Sequence, residues 1–178
     1  MRRFASIDGE YRYTLGRDWW EPGCQAQRGV SLITFIMLNP STADAEMDDP
    51  TIRRCIAFAR REGAYGVEVM NLYALRATDP SELVGHPDPV GVGNDALLVD
   101  AACQHTTFRT VVAWGANKMV TPDRVRVLTD AAETAGTTLW CLGTTKAGQP
   151  RHPLYVKGDQ PLIPWSSPNP QASESEGS

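Results

Sequence analysis

No excess of positive charge, no long apolar run and no paired cysteine occur in this chain of 178 residues. Each absence removes a class of protein. Lys and Arg number 17 against 21 Asp and Glu, a net charge of −4. A polybasic protein that coats a phosphate backbone by bulk charge is excluded, while a local basic patch is not. No apolar stretch approaches the about 18–20 residues of a membrane helix, so no membrane partner is expected. The opening segment MRRFASIDGEYRY has arginines but no apolar h-region. A signal peptide is therefore not expected, and the chain reads as cytoplasmic. Cys24, Cys55, Cys103 and Cys141 form no CxxC pair. Metal-site spacing is missing and disulfides do not suit a reducing cytosol, so buried free thiols are expected. No P-loop and no internal repeat is visible. The remainder is ordinary: 42% hydrophobic and 21% charged residues, enough for one buried core. The expected organisation is a single domain over 1–165 and a Ser/Pro/Glu-rich, disordered tail over 166–178. The sequence carries no sign of oligomeric state.

Alternating residues on either side of Asp8-Gly9 predict an N-terminal hairpin. The run SLITFIML at 31–38 is apolar and β-branched, as in a strand buried on both faces. Asp49 with Pro50 predicts the start of a helix, Ile52, Cys55, Ile56 and Ala59 give its face, and Gly63 ends it. A second strand follows at Gly66–Leu72. Tyr73 to Gly93 reads as loop, with Pro80, Pro87 and Pro89. Asn94 is expected to cap a helix carrying Leu97, Leu98 and Ala101. Thr110–Trp114 is a third strand. Thr121 and Pro122 start a helix with Val125, Leu128 and Ala132 on its face, closed by Gly136. Thr137–Leu142 is a fourth strand. This alternation predicts an α/β fold: a three-layer α/β/α sandwich with a mainly parallel four-stranded sheet and an N-terminal β-hairpin.

In such sheets ligands bind beyond the carboxyl ends of the strands. That rule selects Asn39-Pro40-Ser41-Thr42, Asn71-Leu72-Tyr73, Trp114-Gly115 and the loop that reaches His152. An Asn at a strand end offers an acceptor and two donors, enough to hold a water or read a base edge. A His can donate to a developing anion. Asn39, Asn71 and His152 include no Cys nucleophile and no Ser–His–acid triad, and they suit positioning a water and stabilising a leaving group. Singly, each has a bland alternative: strand-end Asn residues form turns and caps, and a lone His beside Pro is commonly structural.

The acids Asp44, Glu46, Asp48 and Asp49 allow two readings. They can bind Mg²⁺ or supply a base, or they can favour the N-terminus of the helix that follows. The helix role is preferred for Asp48 and Asp49, and Asp44 remains a candidate base. Gly91-Val92-Gly93-Asn94-Asp95-Ala96 matches GxGxxA only weakly, because no strand precedes it. Arg53, Arg54, Arg60 and Arg61 are expected on a solvated helix face. Lys146, Arg151 and Lys157 flank His152 and are better candidates for a phosphate site. Trp19, Trp20, Tyr73 and Trp114 can stack on a base, although packing is the commoner role.

The strings FIMLNPSTADAEMDDPTIRRC, NLYALRATDP, VVAWG and CLGTTKAGQPRHPLY resemble an uncharacterised family of bacteria and phages, a domain of unknown function. The likeness covers about residues 5–156. The order of motifs is also similar to that of the uracil-DNA glycosylase superfamily. Leu38-Asn39-Pro40-Ser41 resembles the Asn-Pro turn of its mismatch-specific branch. Met70-Asn71-Leu72-Tyr73-Ala74-Leu75-Arg76 with Pro80 resembles the strand-end Asn and basic stretch of its thermophilic branch. Val111-Val112-Ala113-Trp114-Gly115 and His152-Pro153 resemble its later strand and His motif. Two departures stand out: His152 is followed by Pro-Leu-Tyr with no Ser, and the iron–sulfur cysteines are missing, so no cluster is expected.

This resemblance implies that Asn39 positions the attacking water, Asn71 recognises the base edge and His152 stabilises the departing base. Asp44 completes the catalytic candidates. Ser41, Tyr73, Trp114, Gly115, Lys146 and Arg151 join Asn71 as substrate-binding candidates. No metal and no cofactor is expected. The leading expectation is a glycosylase-like hydrolase of a nucleobase N-glycosidic bond, with nucleic acid or a nucleotide as partner. The alternatives are a non-catalytic binding module of the same fold and a metal-assisted nucleotide-processing enzyme that uses Asp44.

Overall fold

The computed structural model describes residues 1–19, 32–41, 48–105 and 107–168. Trp20, Cys24, Asp44, Glu46 and the tail from 169 lie outside the described residues. The chain begins with β1 (Arg2–Asp8) and β2 (Tyr11–Asp18), joined at Gly9-Glu10 with Asp8 opposite Tyr11. The apolar run becomes β3 (Leu32–Met37), whose five residues after Leu32 are buried. Helix α1 (Pro50–Arg61) starts as predicted, with Asp49 accepting the Ile52 N–H and Pro50 in the first turn. Then come β4 (Gly66–Asn71), the four-residue α2 (Glu82–Gly85) and α3 (Asn94–Ala102). α2 interrupts the stretch Tyr73 to Gly93 expected as loop. β5 (Arg109–Val112) leads to α4 (Pro122–Ala135), capped by Thr121 through the Arg124 N–H. β6 (Leu139–Cys141), a 3-10 turn at Pro153–Tyr155 and β7 (Ile163–Pro164) complete the fold.

One mixed seven-stranded sheet runs β1-β2-β4-β3-β5-β6-β7. This corrects the expected four-stranded, mainly parallel sheet. β3 pairs parallel with β4 and β5, and β5 pairs parallel with β6. The N-terminal hairpin is no separate flap, because β2 pairs antiparallel with β4 from Leu15↔Val69 to Asp18↔Gly66. On the other edge β7 pairs antiparallel with β6. Both additions depend on long-range pairing, which local pattern does not encode.

Strand alternation divides the core. Ile33, Phe35, Val67, Val69 and Val111 pack with Ile52, Cys55, Phe58 and Ala59 of α1 on one face. Ile36, Met70, Val112 and Leu139 pack with Leu98 and Ala101 of α3 and Val125, Leu128 and Ala132 of α4 on the other. Cys55 and Cys141 are buried free thiols as expected, and Cys103 is half-buried. Burial pushes the Cys55 thiol far up, so it behaves as an inert packing group. Asn94 departs from expectation. Gly93 takes the cap position of α3, and the Asn94 amide donates to the backbone oxygens of Asn71 (3.1 Å) and Leu72 (3.3 Å). Among the described residues, no helix is long and apolar enough to cross a membrane.

Candidate functional site

Beyond the end of β3 the chain turns at Asn39-Pro40-Ser41. The Asn39 amide donates to Ala77 O at 2.9 Å and Pro40 O at 3.2 Å, and the Ala77 N–H returns to Pro40 O at 3.0 Å. These bonds tie the turn to the segment that follows β4. Both donors serve the fold, and Oδ1 takes no protein hydrogen bond among the described residues. Asp49 lies at the same place. Its Oδ1 accepts the Ile52 N–H at 2.8 Å, and its Oδ2 accepts the Ser41 hydroxyl at 3.3 Å. The expected helix role of Asp49 is thus present, and the same carboxylate also borders open space. Arg12 of β2 stands across from it, only 3% exposed. Burial pulls its guanidinium down to about 10; the Asp49 carboxylate opposes this, and Arg76 and Arg17 add to it.

His152 arrives from β6 through the loop 143–151. That loop is a tight hairpin. The Thr145 N–H bonds Gln149 O at 2.8 Å, the Gly148 N–H bonds Thr145 O at 3.0 Å, and Thr144 bridges Pro150. Two indoles pin it: Trp114 Nε1 donates to Gln149 Oε1 (3.0 Å) and Trp165 Nε1 to Gly148 O (3.1 Å). After the hairpin, His152 Nδ1 accepts the Leu154 N–H at 3.3 Å and caps the short 3-10 turn. A nitrogen that accepts carries no proton, so the neutral ring holds its hydrogen on Nε2, a tautomer inferred from this bond. Burial lowers the imidazole below its ordinary range, opposed by Asp49, so the ring is neutral near pH 7. Arg54 fixes the turn from α1, donating through Nε to Pro153 O (3.3 Å) and through Nη2 to Val156 O. Arg61 bonds Gly158 O at 2.8 Å. The expected solvated arginine face is therefore corrected at Arg54 alone: Arg53, Arg60 and Arg61 are exposed, while half-buried Arg54 holds the turn that follows His152.

These groups surround a cavity of about 790 Å³. Asn39, Ser41, Trp114, Gly115, Lys146, Arg151 and His152 line it. Gly115 has φ +76, a backbone that any side chain would strain, and it sets the chain against His152. Two candidates from the sequence do not line the cavity. Asn71 sits in register with Met37, which does, but its own side chain is only 1% exposed. Among the described residues neither its Oδ1 nor its Nδ2 has a hydrogen-bond partner. Tyr73 is buried, donates to Met119 O at 2.8 Å and lies under the Arg124 guanidinium. Asp44 lies outside the described residues. Trp19 is likewise occupied, stacked under Arg60 and bonded to Ala64 O at 3.0 Å.

Sequence reasoning missed Arg12, Thr51, Asn117, Thr145 and Tyr155, which also line the cavity, and preferred the helix role for Asp49. The Tyr11-Arg12-Tyr13 alternation points to a solvent-facing Arg12, and only the pairing of β2 within the sheet turns it inward. Gly91 of the GxGxxA string is explained by packing, since a Cβ there would come within 2.9 Å of the Tyr11 ring. Among the described residues no group of three or more His, Cys, Asp or Glu could hold a metal ion. The cavity thus offers a neutral N–H donor, a carboxylate, an amide oxygen and cations. That set can bind a polar anionic ligand and stabilise a departing anion.

Comparison with known proteins adds a family and no activity. Searches among curated proteins and among solved structures find no match, so neither supports the likeness to uracil-DNA glycosylases. The family described as "Protein of unknown function (DUF1643)" matches residues 12–154, from Arg12 of the cavity to the turn after His152, and the chain belongs to that family.

Proposed function

We propose that the cavity hydrolyses the N-glycosidic bond of a nucleobase in DNA or a nucleotide. The observation that carries this reading is the hydrogen bonding of His152. Its Nδ1 is occupied by the Leu154 N–H, so the ring offers a neutral Nε2–H donor in a cavity shared with Asn39 and Asp49. Glycosidic cleavage needs such a donor more than it needs a covalent nucleophile. In the proposed step a water held by Asn39 Oδ1 and Asp49 attacks the anomeric carbon. The carbon–nitrogen bond breaks and its electron pair leaves with the base. The base departs as an anion against His152 Nε2–H, and the proton of the water passes to the Asp49 carboxylate. Asp49 here takes the place that sequence reasoning gave to Asp44. A base within a duplex would first have to leave the stack.

The test is release of free base, followed by chromatography, from nucleotides and from oligonucleotides carrying uracil, hypoxanthine or modified bases. His152→Ala should lower the rate by about 10²–10³-fold, the effect of losing one donor to a developing anion. Absence of base release from every substrate overturns the reading. A second reading, a binding module of the same fold, gains from two observations: both Asn39 donors are spent on backbone, and Asn71 stands outside the cavity. Binding without base release would select it. The metal-assisted alternative has less support. Asp48 is taken up by Arg17 (2.8 Å) and Arg3 (3.6 Å), and among the described residues no group of three or more His, Cys, Asp or Glu could hold a metal ion.

A further inference from the structure

We infer that the ligand of this cavity is a free nucleoside monophosphate whose phosphate is received by Lys146 and Arg151. The inference rests on the reading of the cavity as a nucleobase site. Its first support is the state of the cations. Arg17, Arg109 and Arg124 are each held by a carboxylate, at 2.8, 2.7 and 2.7 Å. Lys146 and Arg151 line the cavity with no carboxylate in ion-pair range among the described residues. Arg151 uses Nε on Thr144 O at 3.0 Å, which fixes the guanidinium and leaves both terminal nitrogens without a protein partner among the described residues. An oriented guanidinium and an ammonium bordering one cavity form a donor set that phosphate oxygens select.

The second support is preorganisation. Lys146 sits at the tip of the hairpin closed by the Gly148 N–H to Thr145 O bond, and two indoles hold that hairpin. Ordering costs that a mobile loop would pay on binding are already met in the fold.

The third support is scale. The cavity of about 790 Å³ lies within the range of about 300–1,000 Å³ for small-molecule sites. A polymer needs a row of phosphate contacts. Of the arginines of α1 that face the same segment, Arg54 is spent on backbone oxygens and Arg61 on Gly158 O and the Glu62 carboxylate.

Calorimetric titration of the full chain tests this with nucleoside 5′-monophosphates, the matching nucleosides and single-stranded oligonucleotides. At least one monophosphate should bind ten times more tightly than its nucleoside. The Lys146→Ala/Arg151→Ala double variant should erase that gap with the melting temperature unchanged. Equal binding of nucleoside and monophosphate overturns the inference, as does an oligonucleotide that binds more tightly than any monophosphate. Base release separates the two levels of argument. Release from oligonucleotides alone leaves the hydrolase reading standing and removes this one. Tight monophosphate binding without release does the reverse.

Discussion

On the α3–α4 face of the sheet, Arg124 sends Nε and Nη2 to Leu72 O at 3.1 and 2.6 Å and reaches Asp95 at 2.7 Å. The Asn94 amide lands on the same peptide, and the Thr110 hydroxyl donates to Ala101 O. On the α1 face, Arg12, Asp49 and His152 border a cavity, and Asn71 holds a buried amide without partners among the described residues. One sheet thus serves two ends. Polar groups on the first face terminate on backbone and close it. On the second, Asp49 and His152 each accept one backbone N–H yet still border open space, and the Asn71 amide has no partner among the described residues, an arrangement tolerated where a ligand compensates for it.

The largest effect that tests this contrast is Arg124→Ala. It removes two charged hydrogen bonds to a buried carbonyl, and each such bond is worth about 1.5–3 kcal/mol. It also strips the cation from the Tyr73 ring, whose centroid is 5.6 Å away. Both bonds end on one carbonyl oxygen and count together as about one such bond, so we expect a loss of about 2–3 kcal/mol in denaturant unfolding, with ligand binding in the cavity unchanged in the folded fraction. A loss within about 0.5 kcal/mol, the range of an ordinary surface change, would mean that the closed face does not depend on this clamp.

A smaller effect of opposite sign is expected from Asn71→Leu. By strand alternation Asn71 shares the α1 face with Val67 and Val69. Replacing an unpartnered amide with an apolar group of similar shape should stabilise the fold by about 1 kcal/mol. If the variant is destabilised instead, the amide is satisfied by water, and the contrast between the faces narrows.

These two positions also show what was legible in the sequence. The caps at Asp49-Pro50 and Thr121-Pro122 could be read because every residue involved is local. The buried strands β3, β4 and β5 could be read from apolar, β-branched runs. β7 could not, being two residues long and ending in Pro164. Strand ends pointed to Asn39, Trp114-Gly115 and the His152 loop, because topology ties sites to those ends. The same rule selected Asn71, whose peptide is at the strand end while its side chain turns into the packed interior. Arg12 and Asp49 gained their place in the cavity through the β2–β4 pairing and the docking of α1, which no short window of sequence contains.

The smallest expected effect concerns pH and isolates the cavity side of the contrast. Burial lowers the His152 pKa from the ordinary 6.5. Above that value the ring is neutral in both folded and unfolded chains and contributes no pH dependence. As pH falls through 6.5 the unfolded chain binds the proton first, so stability declines until the folded ring also titrates. Protonation of Nδ1 would moreover cost the Leu154 N–H its acceptor. Glu68 acts in the other direction. Burial, aided by Asp100, raises its carboxyl, so the folded chain takes up that proton first and gains stability as the medium becomes acidic. The two can be separated by comparing wild type with His152→Gln in melts from pH 8 to pH 5. Glu68 cancels in the difference, and the remaining slope belongs to His152. The variant should lose less stability than wild type below pH 6.5 and match its profile above pH 7.5. Parallel profiles across the whole range would mean that the ring is solvated, and the neutral Nε2–H donor at the centre of the proposed chemistry would then lose its physical basis.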